Sequence, residues 1–132
     1  MIDCENEVYT MIVTMLRAQY PGINTSSTYV DAPSSFPHVS IEMKDNSVMA
    51  RTMDTGDYEV SIVVFEINIY SDRTNGKKAE CKSIANAIDQ FLKPYNFRRM
   101  SLVPVPNMLN RSIYRLNARY RVATDGKNFY RR

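Results

Sequence analysis

One histidine, two cysteines and four glycines are all that this 132-residue chain offers to metal, thiol and phosphate chemistry. His38 stands alone, and neither Cys4 nor Cys81 lies in a C-x-x-C pair, so a zinc site has no ligand set to draw on. The serines form no G-x-S-x-G elbow and His38 has no partner motif, which leaves nucleophilic catalysis without a base. Gly22, Gly56, Gly76 and Gly126 fall singly in different turns, whereas a phosphate cradle needs glycines that let the backbone approach together. Carboxylates do occur in pairs, as Glu5 with Glu7 and Asp54 with Asp57, but such pairs are ordinary at helix starts and on wetted faces. The expectation is a protein with no catalytic site, no cofactor and no metal. Long hydrophobic runs are missing too: nothing approaches the roughly 18 consecutive apolar residues of a membrane span. The opening residues Met1-Ile2-Asp3-Cys4-Glu5 are acidic where a signal peptide is basic, so the chain is expected to stay in the cytosol with its thiols reduced.

What is present fits one folded domain over residues 1–132. Apolar residues make up 44% and charged residues 23% of the chain, which is average globular usage, and the length matches about one domain. The net charge of +3 is unevenly distributed. Residues 1–92 hold seven basic and thirteen acidic side chains, a net of −6; residues 93–132 hold ten basic and one acidic, a net of +9. Such asymmetry implies contact with nucleic acid or with an acidic surface, and in a self-assembling subunit that surface can be the chain's own acidic part.

The pattern of apolar residues divides the chain into seven elements. Asp3 stands as an N-cap, Glu5 and Glu7 favour the positive end of a helix dipole, and Val8, Met11, Ile12, Met15 and Leu16 share one face. This predicts a helix over 3–19, stopped by Pro21-Gly22. A short strand over 26–30 and a turn over 31–35 follow. Residues 38–44 alternate, with Val39, Ile41 and Met43 inward and His38, Ser40, Glu42 and Lys44 outward, which makes His38 a surface histidine. Residues 45–57 are long for a hairpin connection and carry Val48, Met49 and Met53, an apolar content suited to a contact surface. The strand over 58–70 is rich in β-branched residues and is expected to emerge toward solvent after Phe65, with Glu66, Asn68 and Tyr70 on its wet side. A helix over 77–93 buries Cys81, Ile84, Ala85, Ile88, Phe91 and Leu92, and Pro94 ends it. A strand over 97–103 is confined to an edge by Pro104 and Pro106. In the last strand, 112–124, Tyr114, Leu116, Ala118, Tyr120 and Val122 point inward while Arg115, Asn117, Arg119 and Arg121 point outward.

The order α-β-β-β-α-β-β predicts an α+β domain with two helices packed on one face of a mainly antiparallel sheet. The other face is then partly uncovered and carries a row of arginines. Arg98, Arg99, Arg115, Arg119 and Arg121, together with Val48, Met49 and Met53, are the candidate residues for a subunit or partner interface.

Three segments carry a family likeness: Val63-Val64-Phe65-Glu66-Ile67-Asn68-Ile69-Tyr70, Ile84-Ala85-Asn86-Ala87-Ile88-Asp89-Gln90-Phe91-Leu92, and Arg111-Ser112-Ile113-Tyr114-Arg115-Leu116-Asn117-Ala118-Arg119-Tyr120-Arg121. In element order and strand character, over about residues 58–122, the chain resembles bacteriophage tail-terminator and tail-completion proteins. The resemblance implies a structural virion protein with no catalytic residues. It implies a homo-oligomeric ring, typically a hexamer, that caps the tail tube, stops its growth and offers a docking surface to head-completion or connector proteins. Its partners are then other copies of itself, the tail tube protein and the connector, with non-specific contact to DNA passing through the ring and no membrane. It is assembled in the host cytoplasm and resides in the tail or neck of the virion. Two other readings fit the composition: a nucleic-acid-binding module that uses the basic C-terminal strand, and another neck or head-completion protein.

Overall fold

A computed structural model describes residues 1–30, 33–49, 59–106 and 112–130. Their order is helix α1 (Glu5–Gln19), strands β1 (Asn24–Ser26), β2 (His38–Val48) and β3 (Ser61–Ser71), helix α2 (Lys77–Leu92), a 3-10 turn (Lys93–Tyr95), and strands β4 (Arg98–Pro104), β5 (Tyr114–Thr124) and β6 (Phe129–Tyr130). The fold is α+β, with both helices against one six-stranded sheet of order β1-β2-β3-β5-β4, in which β6 pairs with β5. Every pairing is antiparallel except β1 with β2, which is parallel.

The amphipathic stripes put the helices where the sequence requires. Val8, Ile12, Val13 and Leu16 of α1, and Cys81, Ile84, Ala85, Ile88 and Leu92 of α2, are buried against Val39, Ile41, Val63, Phe65, Ile67, Ile69, Leu116, Ala118, Tyr120 and Val122. Alternation along the strands brings these residues to one face. Each fully buried aliphatic or Phe side chain contributes about 1.5–3 kcal/mol by leaving water, which makes this layer the main source of stability. Helix α1 packs on β2, and α2 on β3 and β5.

Several sequence expectations are corrected. Cys4, not Asp3, is the N-cap of α1 and makes no side-chain cap; Asp3 Oδ1 instead accepts the Glu5 N–H at 3.1 Å. The first strand is Asn24–Ser26, not 26–30, because it pairs with residues 38–40. Strand β2 runs to Val48, through a bulge between Met43 and Asp45, so residues 45–48 of the expected 45–57 connection are strand. His38 is not a surface histidine: it is buried, with Nε2 3.0 Å from Ser26 Oγ and its ring against that of Tyr70. β3 does not emerge toward solvent, since Glu66, Asn68 and Tyr70 are all buried. The chain also continues past Asp125-Gly126 into β6, on a turn where Asp125 Oδ1 accepts the N–H groups of Lys127 and Asn128.

Candidate subunit interface

The sheet face turned away from the helices is a polar ladder. Register places Glu42, Glu66 and Arg119 on one rung, Ser40, Asn68 and Asn117 on the next, and His38, Tyr70 and Arg115 on a third. Glu42 and Glu66 are direct cross-strand neighbours, an arrangement that repels unless neutralised. Arg119 Nη2 meets Glu66 Oε2 at 2.8 Å, and Lys44 pairs with Glu42. Burial pushes the Glu66 carboxyl up, but the amide of Asn117, the Arg119 guanidinium and the Asn68 amide outweigh it and hold it below its ordinary value. Asn68 Oδ1 accepts from Asn117 Nδ2 at 2.9 Å and from Arg115 Nε at 3.0 Å. The Arg115 guanidinium also lies 4.8 Å from the centre of the Tyr29 ring and 5.7 Å from that of Tyr70.

The five candidate arginines therefore do not form a single row. Arg115 and Arg119 are engaged within the chain. Arg99 pairs with Tyr120 in register and faces the helix side, 4.0 Å from Asp89, to which Tyr120 donates its hydroxyl. Of the polar-face arginines, Arg98, Arg115 and Arg121 have no carboxylate partner among the described residues; Arg115 is held instead by Asn68 and Tyr29, which leaves Arg98 and Arg121 with no side-chain partner. They oppose each other directly across β4 and β5, and Arg121 Nε is buried with no acceptor. Strands β4 and β5 together carry five arginines and no acidic residue.

At the far edge of the sheet the charge reverses. Ile2 N–H donates to Glu59 Oε2 at 3.3 Å, Ile2 O accepts from Asn46 Nδ2 at 2.7 Å, and Met43 N–H donates to Glu5 Oε2 at 2.8 Å. These contacts gather Asp3, Glu5, Asp45 and Glu59 around the outer half of β2, and none of the four forms an ion pair among the described residues. Local spacing does not mark Asp45 or Glu59, because their place at this end of the sheet follows from the β2–β3 pairing and from the contacts of Ile2.

Of the apolar candidates, Val48 is exposed, while Met49 is buried in a small cluster with Val60 and Ala123, its N–H donating to Val60 O at 2.8 Å. Met49 is thus covered within the chain itself, beside the end of β2. Met53 and the rest of the 50–57 segment lie outside the described residues. Exposed apolar side chains that the sequence reading did not single out are Met100 and Val103 on the edge strand β4, and Tyr29 and Tyr95.

Both cysteines are free and buried. Burial, with the acids of the first turn of α1, raises the Cys4 thiol to about 11, and burial raises Cys81 to about 12. Neither is a poised nucleophile. Among the described residues no three His, Cys, Asp or Glu side chains are grouped to hold a metal ion, and no helix is long and apolar enough to cross a membrane. No model of a known protein family matches the chain, and no curated protein matches it.

Proposed function

We propose that the chain is a ring-forming structural subunit of a phage tail. Copies of it, six by the family likeness, cap the head-proximal end of the tail tube, stop its growth and receive a head-completion or connector protein. Such a subunit works by shape and contact, and it needs no catalytic group. The observation that supports this reading is the division of charge across the sheet: five arginines and no acid on β4 and β5, against Asp3, Glu5, Asp45 and Glu59 around the outer half of β2, none of which forms an ion pair among the described residues. A cyclic assembly joins two different patches of one chain, and opposite charge on those patches steers the junction and fixes its register. Electron microscopy of the purified protein tests the reading. Rings with a central opening are expected; a field of single subunits at micromolar concentration contradicts it.

A second reading, binding of nucleic acid, is favoured by one contact: Tyr29 is partly exposed beside Arg115 on the polar face, an aromatic next to a cation. Against it, Tyr114 and Tyr120 turn toward the helix side, and Arg115 and Arg119 are already occupied. If that reading holds, DNA binding falls steeply with salt, and replacing Arg115, Arg119 and Arg121 by glutamine lowers the log–log slope by roughly 2.7, at about 0.9 per phosphate contact.

A further inference from the structure

Two charge patches are left unbalanced by the chain's own contacts, and they lie on one row of the sheet. Arg98 is registered with Arg121, Arg121 with Val64, and Val64 with Asp45. Like charges directly opposed across strands repel. The sheet neutralises one such rung, Glu42 with Glu66, through Lys44 and Arg119. It leaves the Arg98–Arg121 rung open, with Arg121 Nε desolvated and lacking an acceptor. A desolvated guanidinium N–H is costly to leave unmade, so a carboxylate from outside the chain is the chemistry that completes this rung.

We propose that Arg98 and Arg121 of one copy receive Asp45 from a second copy of the chain, joining the β4 edge of one subunit to the β2 edge of the next. The proposal rests on the ring reading and states how the ring is joined. Four observations name a second copy as the occupant. The complementary acid belongs to the same chain, at the opposite edge of the same sheet. Asp45 shares with Arg98 and Arg121 both the face and the row. β4 runs antiparallel to β2, because β2 and β5 are each antiparallel to β3 and β4 is antiparallel to β5. Turning copies about an axis parallel to the strands therefore keeps every helix layer on one side and brings the two patches together at equal height. A contact between two different patches at equal height has no rise along the axis, which is the condition a closed ring needs and a helical filament lacks. The junction is made by side chains: Glu5 Oε2 already takes the outward N–H of Met43, so the β2 ladder is not extended at that point.

The test is native mass spectrometry at low salt on the parent, Arg98→Glu, Asp45→Lys, and a one-to-one mixture of the two variants. The parent is expected to form a ring. Each variant alone sets like charges against each other at every junction and should need about tenfold or more higher concentration to assemble. The mixture should restore the parent's stoichiometry with both variants incorporated, because each junction again joins opposite charges. Asp45→Asn retains an oxygen for the Asn46 N–H that Asp45 Oδ1 accepts at 2.9 Å, and should weaken assembly without altering the circular dichroism spectrum. Rings formed by both variants as readily as by the parent overturn the edge assignment and leave the ring reading standing. Dissociation of one variant alone, or a mixture that fails to reassemble, also overturns the pairing. A parent that is monomeric throughout overturns both the pairing and the ring.

Discussion

On the helix side of β3, Val63, Phe65, Ile67 and Ile69 are buried beneath α1 and α2; on the other side of the same strand Glu66, Asn68 and Tyr70 are buried with no helix above them among the described residues. The two faces exclude water by different means. The helix side does so with apolar surface, which is non-directional and tolerates small shifts. The polar side does so with its own long side chains, each held by a named partner: Arg119 by Glu66, Asn117 by Asn68, Arg115 by Asn68 and the two tyrosines. Stability should therefore be concentrated on the first face, and sensitivity to charge and pH on the second. A face built from fixed charges, with one rung left open, is also suited to choosing a partner.

The largest effect expected from this comparison is on the helix side. Phe65 is buried and packs against Phe97, and Phe65→Ala should cost about 3–5 kcal/mol, read as a lower midpoint in urea unfolding. A loss below about 1 kcal/mol would mean that the helices do not bear on β3 as described.

The next effect is on the polar side. Glu66→Ala leaves Arg119 without its carboxylate and removes a hydrogen bond to a charged group, for which about 1.5–3 kcal/mol is usual. The lower end is expected here, because the Arg119 side chain is half exposed and water can replace part of the loss. Glu66→Gln should cost less, since it relieves the repulsion with Glu42 and keeps an acceptor. Because the Glu66 pKa is depressed in the fold, its contribution is present above the ordinary value of 4.5 and is lost as pH falls through the lower, folded value. Phe65→Ala keeps Glu66 and should lose stability in acid as the parent does, whereas Glu66→Ala should lose less; an equal acid sensitivity in both variants would break the contrast between the faces.

The smallest effect concerns His38, where β1 joins the sheet. Burial lowers the His38 pKa below 6.5, so the folded state disfavours its proton. The unfolded chain binds that proton first, and stability should fall as pH drops below 6.5, flattening once the folded value is passed. The charged imidazolium would stand with Nδ1 unpartnered and with the Arg115 guanidinium across the Tyr70 ring. His38→Gln should remove the slope between pH 7 and 5.5 in urea titrations; an unchanged slope would place its origin elsewhere.

Both helices, the order of elements along the chain and the apolar face could be read from the sequence because they depend on periodicity, a local signal. The polar face could be read only in part. Alternation assigns Glu66, Asn68 and His38 to the side away from the helices, which is correct, but polar side chains on alternate positions read as a wet face, and these three are buried. Their burial depends on partners 53, 49 and 12 positions away, namely Arg119, Asn117 and Ser26, which no spacing rule links. The arginines show both outcomes. Arg115, Arg119 and Arg121 share a face by period two, as expected, whereas adjacent Arg98 and Arg99 must point to opposite faces. Met49 was taken for a loop residue because the sequence does not mark how far the β2–β3 hairpin extends, and its burial follows from that pairing.

On the reading proposed above, this chain is a subunit made to meet its own copies. The most direct measurement is its mass in solution by multi-angle light scattering, from low micromolar to high micromolar concentration and at low and high salt. A single discrete multiple of the 15.2 kDa chain is expected, about 91 kDa for six copies, shifting toward the monomer as salt screens the charged junction. A constant mass of one chain under all of these conditions would contradict the account.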